Sequence, residues 1–143
     1  MIRFAAPAAG LLMMLGVSTS CFAYECTDSE SYRAGLQELK LAREATTAHL
    51  SVAVEYLQKH KSLDLNTALR QVMQAGSPEQ KQIFDQQLND LGEQMKLAKR
   101  DSPEACQALI ALARKHAAVG EQKIEYIVKS VTGDDSTPPV IPN

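Results

Sequence analysis

The spacing of apolar residues and prolines is what most constrains the fold of this chain. Between residues 24 and 133 the only prolines, Pro78 and Pro103, each follow a serine, and the long stretches around them contain none. Apolar residues in those stretches recur at alternating steps of three and four, which is the period of one helix face. No alternating strand pattern and no Asn-Gly or Asp-Gly hairpin turn is present. The sequence therefore predicts an all-α fold.

Short polar residues mark where the helices begin. Thr27 with Glu30, and Ser77 with Gln80, have the spacing of a capping box, in which each side chain binds the other residue's backbone N–H. A second Ser-Pro-Glu motif at 102–104 repeats the start signal at 77–79. Four helices follow from these signals: about residues 29–60, about 65–75, a third of about 23 residues from the first Ser-Pro, and a fourth from the second Ser-Pro to Gly133.

The first and fourth helices each carry a long stripe on one face. The first stripe contains two polar members, Arg43 and His60, and reads Tyr32, Leu36, Leu39, Arg43, Thr46, Leu50, Ala53, Leu57 and His60. The fourth stripe has small residues in its middle and reads Cys106, Ile110, Ala113, Ala117, Gly120, Ile124, Ile127 and Val131. Both stripes predict helices that pack lengthwise against neighbours.

Residues 1–23 have the pattern of a secretion signal peptide. Arg3 precedes a short apolar run, and small residues lead to an expected cleavage site after Ala23. The run is too short to span a bilayer, so no transmembrane span is expected in the mature chain. Lipidation at Cys21 is a minor alternative, because Ser18 stands where a lipoprotein box usually has leucine. We expect a helical bundle domain over 24–133 and a disordered, Pro- and Asp-rich C-terminal tail over 134–143.

Either processing route leaves two cysteines, Cys26 and Cys106. In an oxidising compartment such a pair most simply forms one disulfide. Neither cysteine has histidine or cysteine at metal-ligand spacing, and no Cys-x-x-Cys redox motif occurs. A disulfide would bring the starts of the first and fourth helices to the same end, so that these helices run parallel. The prediction is an up-down-up bundle of three long helices with a short crossover helix, the second along the chain.

Composition and motifs argue against several functions. The chain has 15 Lys and Arg, one of which is Arg3 in the signal, and 17 Asp and Glu. The chain beyond the signal therefore carries a net charge of −3. That balance argues against nucleic-acid binding. No nucleophile elbow, phosphate loop, His-Glu-x-x-His or Cys-x-x-Cys-His motif is present. We therefore expect no enzymatic activity, no metal site and no cofactor.

Four residues are candidate contacts for a partner or ligand: Arg43, Ala113, Ala117 and Gly120. Arg43, inside the apolar stripe, either extends its guanidinium to solvent, pairs with a neighbouring carboxylate such as Asp90, or anchors an acidic partner group through two hydrogen bonds. The small residues of the fourth helix indicate close helix–helix approach, or else space for a ligand between helices.

The expected function is that of a periplasmic or secreted, non-enzymatic protein-binding module, such as an inhibitor, an immunity-type protein or an accessory subunit. Its partner would be another envelope protein. Two alternatives stay open: a small-ligand carrier that uses the gap at 113–120, and a stress chaperone with a concave apolar face.

Overall fold

A computed structural model describes residues 24–133 of the chain. A single 3-10 turn, Cys26–Asp28, precedes four helices: α1 (Glu30–Lys61), α2 (Leu65–Gln74), α3 (Pro78–Leu97) and α4 (Pro103–Thr132). No strand occurs in this part of the chain, and the all-α prediction is confirmed. The predictions of a signal at 1–23 and a disordered tail at 134–143 lie outside the described residues.

Short polar side chains cap three of the helices as the sequence predicts. The Ser77 hydroxyl accepts a hydrogen bond from the N–H of Gln80, and the Ser102 hydroxyl accepts one from the N–H of Ala105; each donor is the third residue of its helix. Each serine precedes a helix-opening proline. At α2 the cap is Asp64, whose carboxylate accepts from the Thr67 N–H at 3.1 Å. These caps satisfy N–H groups that no preceding turn can bond.

Two predicted capping boxes are wrong in detail. Residues 26–28 form their own turn, so the cap of α1 is Ser29, which accepts from the Tyr32 N–H at 3.3 Å. At α3 the Ser77 N–H donates to the Tyr126 hydroxyl at 2.7 Å instead of to the Gln80 side chain. A tyrosine from α4 thus takes the place of the local partner and ties the start of α3 to α4.

The long helices run up, down and up. Cys26 and Cys106 form a disulfide with Cα atoms 5.5 Å apart. Further along, Glu38 pairs with Arg114 at a separation of 76 positions, so α1 and α4 advance together and are parallel. On α3, Phe84 lies against Tyr126 whereas Asp85 pairs with Lys123, so α3 and α4 advance in opposite directions. The predicted topology is confirmed.

The centre of this arrangement is α4. Both α1 and α3 pack along it, and α2 crosses the far ends of α1 and α4. Within residues 24–133, α1 and α3 share at most marginal contact. The three long helices therefore form a layer with α4 in the middle, and α2 covers one end of one side of that layer.

Buried residues collect at the two ends of the molecule. Beneath α2 the core consists of Ala53, Val54, Leu57, Ala68, Val72, Ile127 and Val128. At the other end the disulfide and its surroundings are buried, namely Cys26, Gly35, Cys106, Leu109 and Ile110. Between these groups α1 has no buried residue from 36 to 48, α4 has none from 111 to 126, and α3 has none at all.

A close helix–helix approach occurs at Gly35 and not at Gly120. A Cβ atom placed on Gly35 would lie 2.9 Å from Cγ2 of Ile110, whereas one placed on Gly120 would have no atom within 4 Å. The interpretation of Gly120 as a close-approach position is therefore wrong, because its side of α4 faces open space.

The disulfide yields the first prediction. Replacing Cys106 with serine reopens a loop of 80 positions, which costs about 4 kcal/mol of unfolding free energy in the chain-entropy model. We expect a lower Tm for Cys106→Ser, and for the reduced wild type, with helix content by circular dichroism largely retained. An unchanged Tm in both would show that the bond does not constrain the unfolded chain.

The two glycines yield the second prediction, as a matched pair. Gly120→Ala gains helix propensity without a clash, so the unfolding free energy should rise by about 1 kcal/mol. Gly35→Ala makes the same chemical change but drives a methyl group into Ile110, and overpacking costs about 1–3 kcal/mol. Denaturant unfolding should therefore move the two variants in opposite directions. Equal gains would contradict the tight α1–α4 contact at Gly35.

Candidate functional site

The middle of α4 forms the floor of an open groove. Ile110 and Arg114 of α4 face α1, and Lys123 faces α3. At 100° per residue, the predicted contact residues 113, 117 and 120 fall between these two directions, on the side that α2 covers further along. All three are half-buried by residues 24–133, and a Cβ atom placed on Gly120 would meet no atom within 4 Å.

The flanking helices supply the walls of this groove. On α1 the wall is the middle of the predicted stripe, which is partly or fully exposed there. On α3 the wall is the flank that continues from Asp85, the residue paired with α4. We define the open groove by its floor, Ala113, Ala117 and Gly120, its α1 wall, Leu36, Leu39, Arg43 and Thr46, and its α3 wall, Leu88, Gly92 and Met95.

Arg43 is exposed, which agrees with the alternative that its guanidinium extends from the apolar stripe to solvent. The 76-position register of α1 against α4 places Arg43 level with Val119, beside Gly120. Its guanidinium makes no hydrogen bond or ion pair with residues 24–133, and Asp90, the partner considered from sequence, lies on the other flank of α3. Arg43 and Gly120 therefore lie at a similar height along the groove, and the Arg43 guanidinium is unpaired among residues 24–133.

Ion pairs brace both flanks of α4. Arg114 donates to Glu38 through two nitrogens, with Nε at 3.3 Å and Nη2 at 2.7 Å from the carboxylate oxygens. These hydrogen bonds, together with the charge of Arg114, lower the pKa of the Glu38 carboxyl and raise the pKa of Arg114. On the opposite flank Lys123 pairs with Asp85 of α3. Both pairs hold a wall in place without covering the floor.

A separate cleft of about 490 Å³ lies between α3 and α4. Asp90 and Lys115 put opposite charges on its lining, next to the amides of Gln87 and Gln122. Ala113, Ala117 and Gly120 do not line it. The space that the sequence suggested at these small residues is therefore part of the open groove and not of this cleft.

The histidines occupy three unrelated positions. His49 is buried, and its Nε2 has no hydrogen-bond partner among the described residues. His60, at the exposed C-terminal end of α1, stacks on Tyr56 with ring centroids 4.3 Å apart. His116 is half-buried in the middle of α4. Within residues 24–133 no three acidic, histidine or cysteine side chains come together in a way that could hold a metal ion.

Comparison with protein-family models, with curated proteins and with solved structures finds no match to this chain. Among the described residues, no helix combines the length and apolar character needed to cross a membrane. The chemistry of the site therefore rests on its own geometry.

The sequence singled out the floor residues and Arg43, but it did not show that one side of α4 is open. Periodicity does not show how much of the stripe on α4 lies under α2. A helix of 10 residues leaves most of that stripe open. The roles of Gly35 and Tyr126 were also missed, because both depend on residues at least 49 positions away along the chain. The one available signal was a glycine inside a predicted helix, at position 35, where glycine is otherwise unfavourable.

The Glu38–Arg114 pair yields the third prediction. Because the folded pKa of Glu38 is lowered, its contribution to stability is full above the ordinary glutamate pKa of about 4.3 and is lost as the pH falls through the folded value. Glu38→Gln should be less stable than wild type at neutral pH, and the two stabilities should converge at acidic pH. Urea unfolding across this pH range measures both. Parallel curves would mean that the pair adds nothing in solution.

Proposed function

We propose that this chain is an exported, non-enzymatic protein-binding module of the cell envelope, and that the open groove is its binding surface. The observation that carries the proposal is the open middle of the layer, where residues 24–133 only half-bury the small-residue floor and most of the walls, and where Leu36 and Arg43 are exposed. An apolar surface left open in this way is typical of a site for another molecule.

Several features of the site favour a protein over a small ligand. The groove is bounded on two sides only and follows the length of α4, which suits a segment of polypeptide better than an enclosed small molecule. Its walls include a long half-exposed side chain, Leu36, which is 44% accessible. Such a surface is compatible with an inhibitor, an immunity-type protein or an accessory subunit.

Export is supported by the signal-like pattern at 1–23 and by the disulfide. A disulfide that links the two helix starts forms and persists in an oxidising compartment, such as the periplasm or the extracellular space. The partner in this proposal is accordingly another envelope protein.

A stress chaperone is the second candidate, because large apolar side chains are also exposed outside the groove. These are Leu41, Val52, Leu65, Leu69, Met73, Ile83 and Leu97. A chaperone would suppress aggregation of many unfolded exported clients at equimolar ratio, whereas a dedicated module would recognise one partner.

Cross-linking at defined positions provides the fourth prediction. A photoreactive amino acid at position 36 replaces an exposed leucine of the α1 wall, so it reaches the groove without filling its floor, and the same residue at position 111 of α4 lies on an exposed surface outside the groove. In the cells that make the protein, we expect discrete cross-linked species from position 36 and none from position 111. No adduct from position 36, or equal adducts from both positions, would contradict the proposal.

A further inference from the structure

The open groove has the length of a missing piece of helix. α2 has 10 residues and α4 has 30, so at 1.5 Å per residue α2 is about 15 Å long and α4 about 45 Å long. The part of α4 that neither end covers, residues 111–123, spans about 20 Å, or nearly four helical turns. In a four-helix bundle, a fourth full-length helix covers this position. Here α2 fills only one end of it.

The shape of the groove suits large side chains from a second helix. Its floor offers an alanine, a second alanine one turn on, and then a glycine with free space above it. Such small residues let the apolar side chains of an incoming helix approach the α4 backbone closely. Leucine and methionine side chains on both walls can then pack around them.

The free charge on the α1 wall is positive. Arg43, the one charged member of this wall, is exposed and has no ion pair among residues 24–133. On the α3 side the carboxylates of Asp85 and Glu93 are already paired, with Lys123 and Lys96 respectively. The exposed Glu44 falls outside the stripe that faces the groove. An occupant with a carboxylate near the middle of its apolar face would therefore be complementary to Arg43.

We propose that the open groove binds an amphipathic helix of a partner protein, about four turns long, whose apolar face carries a central glutamate or aspartate that pairs with Arg43. The inference rests on the proposed function and adds the chemistry of the partner. A guanidinium binds a carboxylate through two parallel hydrogen bonds, and surrounding apolar walls strengthen that pair by excluding water. The helix would complete the bundle end to end with α2.

A peptide library tests the chemistry without knowing the partner. The library displays helical peptides of about 16 residues, long enough to span the gap, with a varied apolar stripe. Their central stripe position is an equal mixture of glutamate, glutamine and lysine. Selection uses the full chain as wild type, as Arg43→Glu, as Gly120→Leu and as Ala111→Leu. Gly120→Leu fills the floor at a place where the fold has room, and Ala111→Leu adds the same side chain outside the groove.

We expect glutamate to be enriched on the wild type and on Ala111→Leu, and lysine to be enriched on Arg43→Glu. Reversing one charge of the pair should weaken a selected glutamate peptide about tenfold or more. Gly120→Leu should have a Tm no lower than that of the wild type, and it should bind none of the selected peptides. No charge preference, or full retention on Gly120→Leu, would overturn the inference.

Two further outcomes would also overturn it. A dimer of the wild type that Gly120→Leu dissociates, seen by analytical ultracentrifugation, would mean that a second copy of the chain fills the groove. Adducts from position 36 in cells, with no charge preference in the library, would leave the binding module standing and reject the acidic helix. Loss of the adducts themselves would instead remove the proposed function.

Discussion

The bond between Cys26 and Cys106 is the constraint on which the rest of the structure depends. It places the first turns of α1 and α4 side by side, so the two longest helices must run in the same direction. The chain between them then has to return over the full length of the molecule, and α3 makes that return. α2 turns the chain at the far end, where it covers the main hydrophobic core of residues 24–133.

This arrangement of the helices explains why the buried residues are concentrated at the two ends of the molecule. At one end the disulfide and the Gly35–Ile110 contact hold α1 against α4, and at the other end α2 closes over both. Between them, α1 and α3 flank α4 from opposite sides, so neither can cover its floor. A chain with so little burial in its middle gains from a covalent link, which lowers the entropy of the unfolded state and needs no apolar contact.

The sequence predicted what depends on local chemistry and on the cysteine pair. Helix starts at Ser77 and Ser102, the short second helix and the parallel α1–α4 pairing all followed from it. Residues whose roles depend on distant partners could not be placed: Tyr126 caps α3 from α4, and Gly35 is small because of Ile110. Arg43 lies on the predicted stripe yet is exposed, and periodicity alone could not decide this, because a stripe does not show how far its neighbour extends.

The open groove also differs from a flexible apolar surface in how it would bind. Its floor is a continuous helix, and the bidentate Glu38–Arg114 pair on one flank and the Asp85–Lys123 pair on the other hold its walls. These pairs are exposed and contribute little to stability, but they fix the spacing of α1 and α3 around α4. A partner that enters such a groove orders few side chains of this protein, so more of the apolar contact is retained as binding free energy. The same rigidity makes binding selective, because a segment without helical shape or without a carboxylate near Arg43 could not obtain complementary contacts by deforming the site.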